Sequence, residues 1–345
     1  MAALGLTTYR LDNNLKSTVL LVVFPVLLLA LLGVVFFLLG LAGGGHNGAM
    51  DVFGFSSVLG TGSPLDLALS AIVAWWPIVL GIAAIWVTIG YFFNDWIIHK
   101  ATGATPVDQH QEPELYRLVE NLCISRGLTT PKLYIIETDA MNAYASGIDD
   151  RTYAITVTRG LLNALNKGEL EAVLAHELTH IMERDTRLLI ITIVFVGMIS
   201  FLAQLLWRSL RFAAFRRVRG KNAAPVFLLM LIAAVALAVG YLLALVLRFA
   251  ISRRREYQAD AGSVDLTKNP DALISALQKI AANPDVPHVP TEVRQMFIEN
   301  PESAFGGLFA THPAISKRIA VLQQLGGHLP QPVVPSAGPQ PSPWA

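Results

Sequence analysis

In the stretch AVLAHELTHIMERD (Ala172–Asp185), His176 and His180 stand four residues apart, with Glu177 directly after the first. On an α-helix that spacing puts both imidazoles on one face, about a turn apart, where two nitrogens can hold a single cation. Glu177 is rotated off that line but stays within reach of a water beside the ion. This is the H-E-x-x-H arrangement, in which two histidines bind zinc and the glutamate serves as a base. At ordinary residue usage the pattern arises by chance in on the order of one chain in a hundred of this length. The bland alternative is an amphipathic helix with two hydrogen-bonded histidines.

A catalytic zinc takes a third protein ligand and keeps one position open. The stretch ISRRREYQAD (Ile251–Asp260) offers Glu256 as that ligand. Asp260 lies one turn on, along the same helical face, and can accept the N–H of a zinc-bound histidine. Alternatively, Arg253–Arg255 form a basic cluster at a membrane edge with Glu256 as counter-charge; the two readings are compatible. The chain offers no Ser or Cys nucleophile motif, so the implied chemistry is attack by water, with Glu177 passing a proton to the leaving group.

These residues must be positioned by a chain of 345 residues that is 53% hydrophobic and only 15% charged. The apolar excess sits in four charge-free runs, Thr18–Ala42, Leu67–Phe93, Leu188–Trp207 and Asn222–Leu247. Each can cross a hydrocarbon core of ~30 Å, which needs ~20 helical residues. The first run is too long for a secretory h-region of ~7–15 residues and reads as an uncleaved anchor. The single cysteine, Cys123, excludes an internal disulfide. A formal net charge of +1 gives no basis for nucleic-acid binding. The Gly/Ser-rich loop Gly43–Asp66 lacks Lys and Arg, which places it outside and the segment after Phe93 inside.

The soluble part begins with a helix opened by Pro113 and closed at Gly127, followed by β-type runs Lys132–Glu137, Asn142–Ser146 and Tyr153–Thr158. The HELTH helix starts near Gly168, with Leu170, Val173, Leu174, Leu178 and Ile181 as one buried face. After the last two runs come a helix opened by Asn269-Pro270, a linker at Asn283–Pro290 and a helix near Pro313–Leu325. The expected fold class is an α-helical integral membrane protein with about four transmembrane helices and a mainly α, zincin-type catalytic domain carrying a small β-sheet. Its parts are a two-span anchor (1–93), a first catalytic part (94–187), a third and fourth span or hairpin (188–250), a second catalytic part (251–328) and a Pro-rich disordered tail (329–345). His176 and Glu256 can share an ion only if an even number of crossings separates them. Two full spans satisfy this, although they leave Arg208, Arg211, Arg216, Arg217, Arg219 and Lys221 outside. An incompletely crossing hairpin satisfies it as well.

HELTH, SRRREYQAD and the upstream ETDAMNAYASG (Glu137–Gly147) resemble the HtpX membrane metalloproteases and, more distantly, the CAAX prenyl proteases, over roughly Pro106–Leu325. The resemblance implies a gluzincin-type site with His176, His180 and Glu256 on one zinc ion and Glu177 as catalytic base. It makes Asn142, Ala143, Tyr144 and Ala145 the edge strand along which substrate backbone is laid, a mode that reads chain shape more than sequence. Asn142 would add a side-chain hydrogen bond to substrate, with an ordinary turn asparagine as the alternative. His312, in Thr311–Pro313, would donate to the oxyanion, with a helix-start histidine as the alternative. The chain departs from the family at Met141 and Ala314, where prolines are usual. The resemblance further implies polypeptide partners, namely misfolded or unassembled proteins of the lipid bilayer, reached from the cytoplasmic face of a bacterial inner membrane. Two other readings are a CAAX-type protease and a non-catalytic zinc-stabilised sensor, the latter weighed down by an intact base beside only three ligands.

Overall fold

Ser63 and Pro64 start the second long helix: the Ser63 hydroxyl accepts from the Asp66 N–H, and the Asp66 carboxylate accepts from the Ser63 N–H, a reciprocal cap. In the computed structural model, which describes residues 2–42, 63–215, 234, 254–299 and 312–328, this helix is α2 (Pro64–Thr102), and it packs along α1 (Ala2–Ala42). Both are long and apolar enough to cross a membrane, over Leu11–Phe37 and Pro64–Thr102. Val22, Val26, Phe92 and Trp96 are among the large apolar side chains they leave uncovered by protein. α2 continues through position 93, so the helix, not a linker, carries the chain from the anchor into the catalytic part.

The small sheet follows, with strands β1 (Thr105–Val107), β2 (Lys132–Ile136), β3 (Ala143–Ser146) and β4 (Ala154–Thr158) in the order β1-β2-β4-β3. β1 is antiparallel to β2, β2 parallel to β4, and β3 antiparallel to β4, which leaves β3 at one edge. The last three match expectation. β1 was not anticipated, because its TPV sequence carries no period-2 signal over three residues. Between β1 and β2 lies α3 (Pro113–Arg126), opened by Pro113 and ended by left-handed Gly127, as its sequence indicates.

After β4 come α4 (Arg159–Ala164), α5 (Lys167–Met182) with the HELTH sequence, and α6 (Asp185–Phe215). The second catalytic part supplies α7 (Arg254–Thr267), α8 (Pro270–Ile280), α9 (Thr291–Arg294) and α10 (Ile315–Gln324). The third apolar run is the body of α6, whose first half packs on α1, α2 and β3. The fourth run (222–247) apart from position 234, most of the basic connector, the loop at 43–62 and the Pro-rich tail lie outside the described residues.

α5 corrects one expectation. It is not half-buried: Ala172, Ala175, His176, Glu177 and Thr179 are as covered as Leu170, Val173, Leu174, Leu178 and Ile181. The reason is tertiary. α3, α6, α7, α8 and β3 all pack against α5, so the polar stripe of the helix faces protein rather than water. A polar face held away from solvent must be satisfied internally, and this requirement locates the site.

Candidate metal centre

The rotation of α5 is set at its start. Asn166 caps the helix with Glu169 in reciprocal bonds, and the Glu169 carboxylate also takes Lys279 Nζ (2.6 Å) and Ser275 Oγ (2.5 Å) from α8. α7 then crosses α5 at close range. Gly262 makes this possible, since a Cβ there would lie 2.4 Å from Thr179 Cγ2. Ser263 Oγ donates to the Ala172 carbonyl at 2.6 Å, which fixes the register between the helices.

That register brings Glu256 to the two histidines. Their Nε2 atoms are 3.2 Å apart with the rings at 89°, and the Glu256 carboxylate lies 3.7 Å from His176 Nε2 and 3.8 Å from His180 Nε2. All three ligand atoms fall within 4.8 Å of one another. Each histidine turns its other nitrogen to a carboxylate: His176 Nδ1 is 3.1 Å from Asp260 Oδ1, and His180 Nδ1 is 2.9 Å from Asp185 Oδ2. A carboxylate at Nδ1 holds the proton there and leaves the Nε2 lone pair free to ligate.

The donor set fits a cation on two further observations. Both Glu256 carboxylate oxygens are fully buried without a hydrogen-bond partner, as is Glu177 Oε1, and buried carboxylate oxygens left so are costly. In addition, three buried carboxylates gather around one buried guanidinium: Asp260 lies 2.6 Å and Glu256 3.9 Å from Arg318, which also acts on Glu177. Glu183 is also buried, and burial and then Asp185 push it up to about 8.

Electrostatics separate the carboxyl groups. Burial drives Glu177 above the ordinary range against the pull of His176 and His180, as suits a group that takes and returns a proton. Burial acts on Glu256 in the same sense, but the imidazoles of His312, His180 and His176 outweigh it and hold Glu256 well below the ordinary range. For Asp260 burial is likewise overcome, here by Arg318 and His176. Arg318, fully buried on α10, donates to Asp260 from Nε (2.9 Å) and Nη2 (2.6 Å) and to the Ile298 carbonyl from Nη1 (3.0 Å).

The cleft over these groups is bordered by Ala145, Glu177, His180, Arg255, Glu256 and His312, among others. Arg255 is buried here with Nε 3.4 Å from Glu256 Oε1, so this member of the basic cluster faces the site and not the lipid headgroups. His312 lies with Nδ1 3.1 Å from Glu256 Oε2 and Nε2 3.1 Å from the Gln295 carbonyl. Donation from Nε2 to that carbonyl leaves Nδ1 facing the site, where only the protonated ring can donate.

Of the four strand residues expected to meet substrate, Ala145 borders this cleft. The expected side-chain bond from Asn142 to substrate does not fit its placement. Its amide is buried, donating to the Pro284 and Glu299 carbonyls at 2.8 Å, while its oxygen accepts from the Ala143 N–H at 3.0 Å. Tyr144 is fully buried, its hydroxyl 3.1 Å from Thr102 Oγ1. Ala143 and Ala145 alternate outward from the ladder with β4, and the Ala143 carbonyl accepts from the Ile298 N–H at 2.9 Å. The chain's own segment therefore covers the upstream end of the edge, and Ala145 is the position nearest the histidines with an outward face. Met141, where a proline is usual, donates its N–H to the Asn283 carbonyl at 2.7 Å, a bond proline cannot make.

Sequence reasoning missed Asp185 and Arg318. Asp185 follows His180 by five residues, off the face of an unbroken helix. It returns to the ring because Arg184, with φ 60°, breaks the chain between α5 and α6, and no glycine marks the break. Arg318 carries a weak signal only, as an arginine on the apolar face of a short helix.

Residues 109–325 match peptidase family M48. A protease HtpX homolog of Bacteroides fragilis (strain YCH46) is 44% identical over 332 residues, covering 94% of this chain and 100% of the relative. One from Dictyoglomus thermophilum is 38% identical over 238 residues, covering 68% and 77%. Among solved structures, the crystal structure of S. mikatae Ste24p matches with a TM-score of 0.46 at 19% identity, covering 82% of this chain and 64% of that one.

Proposed function

The chain belongs to peptidase family M48 and is a membrane metalloprotease, and on that premise we propose that His176, His180 and Glu256 hold one zinc ion and that Glu177 is the base in hydrolysis of peptide bonds. The observation that carries this is the convergence of two imidazoles and one buried, hydrogen-bond-free carboxylate within 4.8 Å. Three ligands from described residues leave room for water, as in catalytic and not closed structural sites. Zinc bound there supplies Lewis-acid polarisation of water and of the scissile carbonyl.

Glu177 accepts a proton from the attacking water and hands it to the leaving amine nitrogen. Asp260 and Asp185 keep the proton of each imidazole at Nδ1. His312, when protonated, donates to the developing oxyanion from the nitrogen that faces the site. Substrate backbone pairs with the outward groups of Ala145 at the edge of β3, which selects extended chain over particular side chains.

The cytoplasmic face of a bacterial inner membrane is the setting we assign, from the Lys- and Arg-free loop between the first two spans. The substrates in this reading are misfolded or unassembled membrane proteins, because the cleft lies beside helices of the membrane and edge pairing demands little sequence. The test is purified Glu177→Ala assayed for zinc content and for cleavage of casein and of an unfolded membrane protein. Loss of cleavage with zinc retained is expected, and full cleavage removes Glu177 from its role. Glu256→Ala is expected to lose zinc, and unchanged metal content refutes its ligation. Cleavage of one soluble peptide with membrane substrates spared would overturn the substrate class.

A further inference from the structure

α1 carries a polar side chain into the catalytic part. Asn13 is buried, and its amide nitrogen donates to Asp185 Oδ1 at 2.7 Å and to the Glu183 carbonyl at 3.0 Å. The other oxygen of Asp185 is the partner of His180 Nδ1, at 2.9 Å. An unbroken path of hydrogen bonds therefore runs from the first membrane helix through one carboxylate to an imidazole of the metal centre. Both acceptors sit on the break between α5 and α6, on either side of Arg184. Asn13 thus satisfies a carbonyl that α5 leaves open at its C-terminal end and one oxygen of the buried carboxylate that follows. Without the amide, Asp185 Oδ1 would be a buried, unpartnered oxygen, free to turn toward any other donor and take Oδ2 away from His180. The neighbouring residue makes a separate bond to the same break, with Arg184 Nη1 donating to Asn14 Oδ1 at 3.1 Å. That contact seats the helix without touching Asp185, which makes it an internal control.

We infer that Asn13 is a positioning residue of the metal centre: it holds Asp185 in the orientation that sets His180 for the metal, so one amide of the first membrane helix tunes how tightly the ion is held. This rests on the reading of His180 as a ligand. The amide is committed here to a carboxylate 172 positions away in sequence. Outer partners of ligating histidines change metal affinity by about 10–100-fold when removed, and Asn13 acts one step further out, so an effect near the lower end is expected.

The test uses the full-length protein in lipid nanodiscs, as Asn13→Ala and as Asn13→Leu, which keeps the branched shape and heavy-atom count and suits a membrane helix. Zinc affinity by chelator competition is expected to fall about tenfold, with the visible absorption of the Co²⁺-loaded protein altered, while Asn14→Ala leaves both unchanged. Wild-type affinity and spectrum in Asn13→Leu, or an equal fall in Asn14→Ala, overturns the inference. So does failure of both Asn13 variants to fold where Asn14→Ala folds, since Asn13 then serves folding and not the ion. His180→Ala separates the two levels: if it loses zinc and Asn13→Leu does not, only the relay fails. If His180→Ala keeps zinc, the ligand reading falls with it.

Discussion

Replacing Arg318 by Met tests whether the metal centre depends on a charge that no metal motif contains. Arg318 has no exposed surface, and its guanidinium makes two short bonds to Asp260 and one to the Ile298 carbonyl, while lying 3.9 Å from Glu256. Methionine keeps much of the volume and removes the charge, so the cost is electrostatic: Asp260 loses its guanidinium partner, and Glu256 loses the second of its two, Arg255 being nearer. Breaking one partner out of a buried pair costs about 3–5 kcal/mol. For a catalytic part of this size each kcal/mol shifts the melting temperature by about 2–4 °C, so a fall of roughly 6–20 °C is expected.

The assay is thermal unfolding of the full-length protein in detergent, followed by tryptophan fluorescence, with zinc content measured alongside. Asp260→Asn supplies the control. In that background the carboxylate is gone and Arg318→Met should cost less, with a coupling of about 1–3 kcal/mol. A melting temperature unchanged in Arg318→Met, or strictly additive effects in the double variant, would refute the pairing as the source of stability. Zinc occupancy should fall as well, because Asp260 released from Arg318 no longer holds His176 Nδ1 in place.

Gly262→Ala should destabilise by about 1–3 kcal/mol through overpacking on Thr179, against a helix-propensity gain of about 1 kcal/mol. It should also lower zinc content by forcing α7 off α5; a more stable, zinc-replete variant contradicts the close approach. Met141→Pro removes the bond to the Asn283 carbonyl and should cost about 0.5–1.5 kcal/mol in denaturant unfolding, and equal or higher stability would show the bond to be idle. Glu169 is held below its ordinary value of 4.5: burial opposes ionisation, but Lys279, Ser275 and the Asn166 N–H outweigh it. A depressed carboxyl contributes stability above its unfolded value and loses it as pH falls through the folded one. The melting-temperature gap between wild type and Glu169→Gln should therefore close as pH drops below about 4.5, and a gap constant from neutral pH to acid would exclude the linkage.

Local pattern alone determined a good deal. Four spacing signals placed His176, Glu177 and His180 on one helix, opened α3 at Pro113 and α8 at Asn269, and marked β2, β3 and β4, because caps, turns and periodicity act within a few residues. Glu256 and Asp260 were legible for the same reason, as a helical pair one turn apart. What the chain could not state locally was decided by packing. α5 is enclosed because α3, α6, α7, α8, β3 and β4 converge on it, and Gly262 and Ser263 set how near α7 comes. Asp185 reaches His180 through a chain break that no glycine announces. Arg318 and Asn13 arrive from residues 58 and 172 positions away from the carboxylates they bind. The sequence leaves Asn142 between a substrate contact and a turn asparagine, and packing turns it inward, since the carbonyls of Pro284 and Glu299 that claim its amide come from a distant segment. Ligand types follow from the chemistry of neighbouring residues on a helix. The carboxylates and guanidinium that orient them follow from desolvation, which acts only once the chain has folded and closed water out.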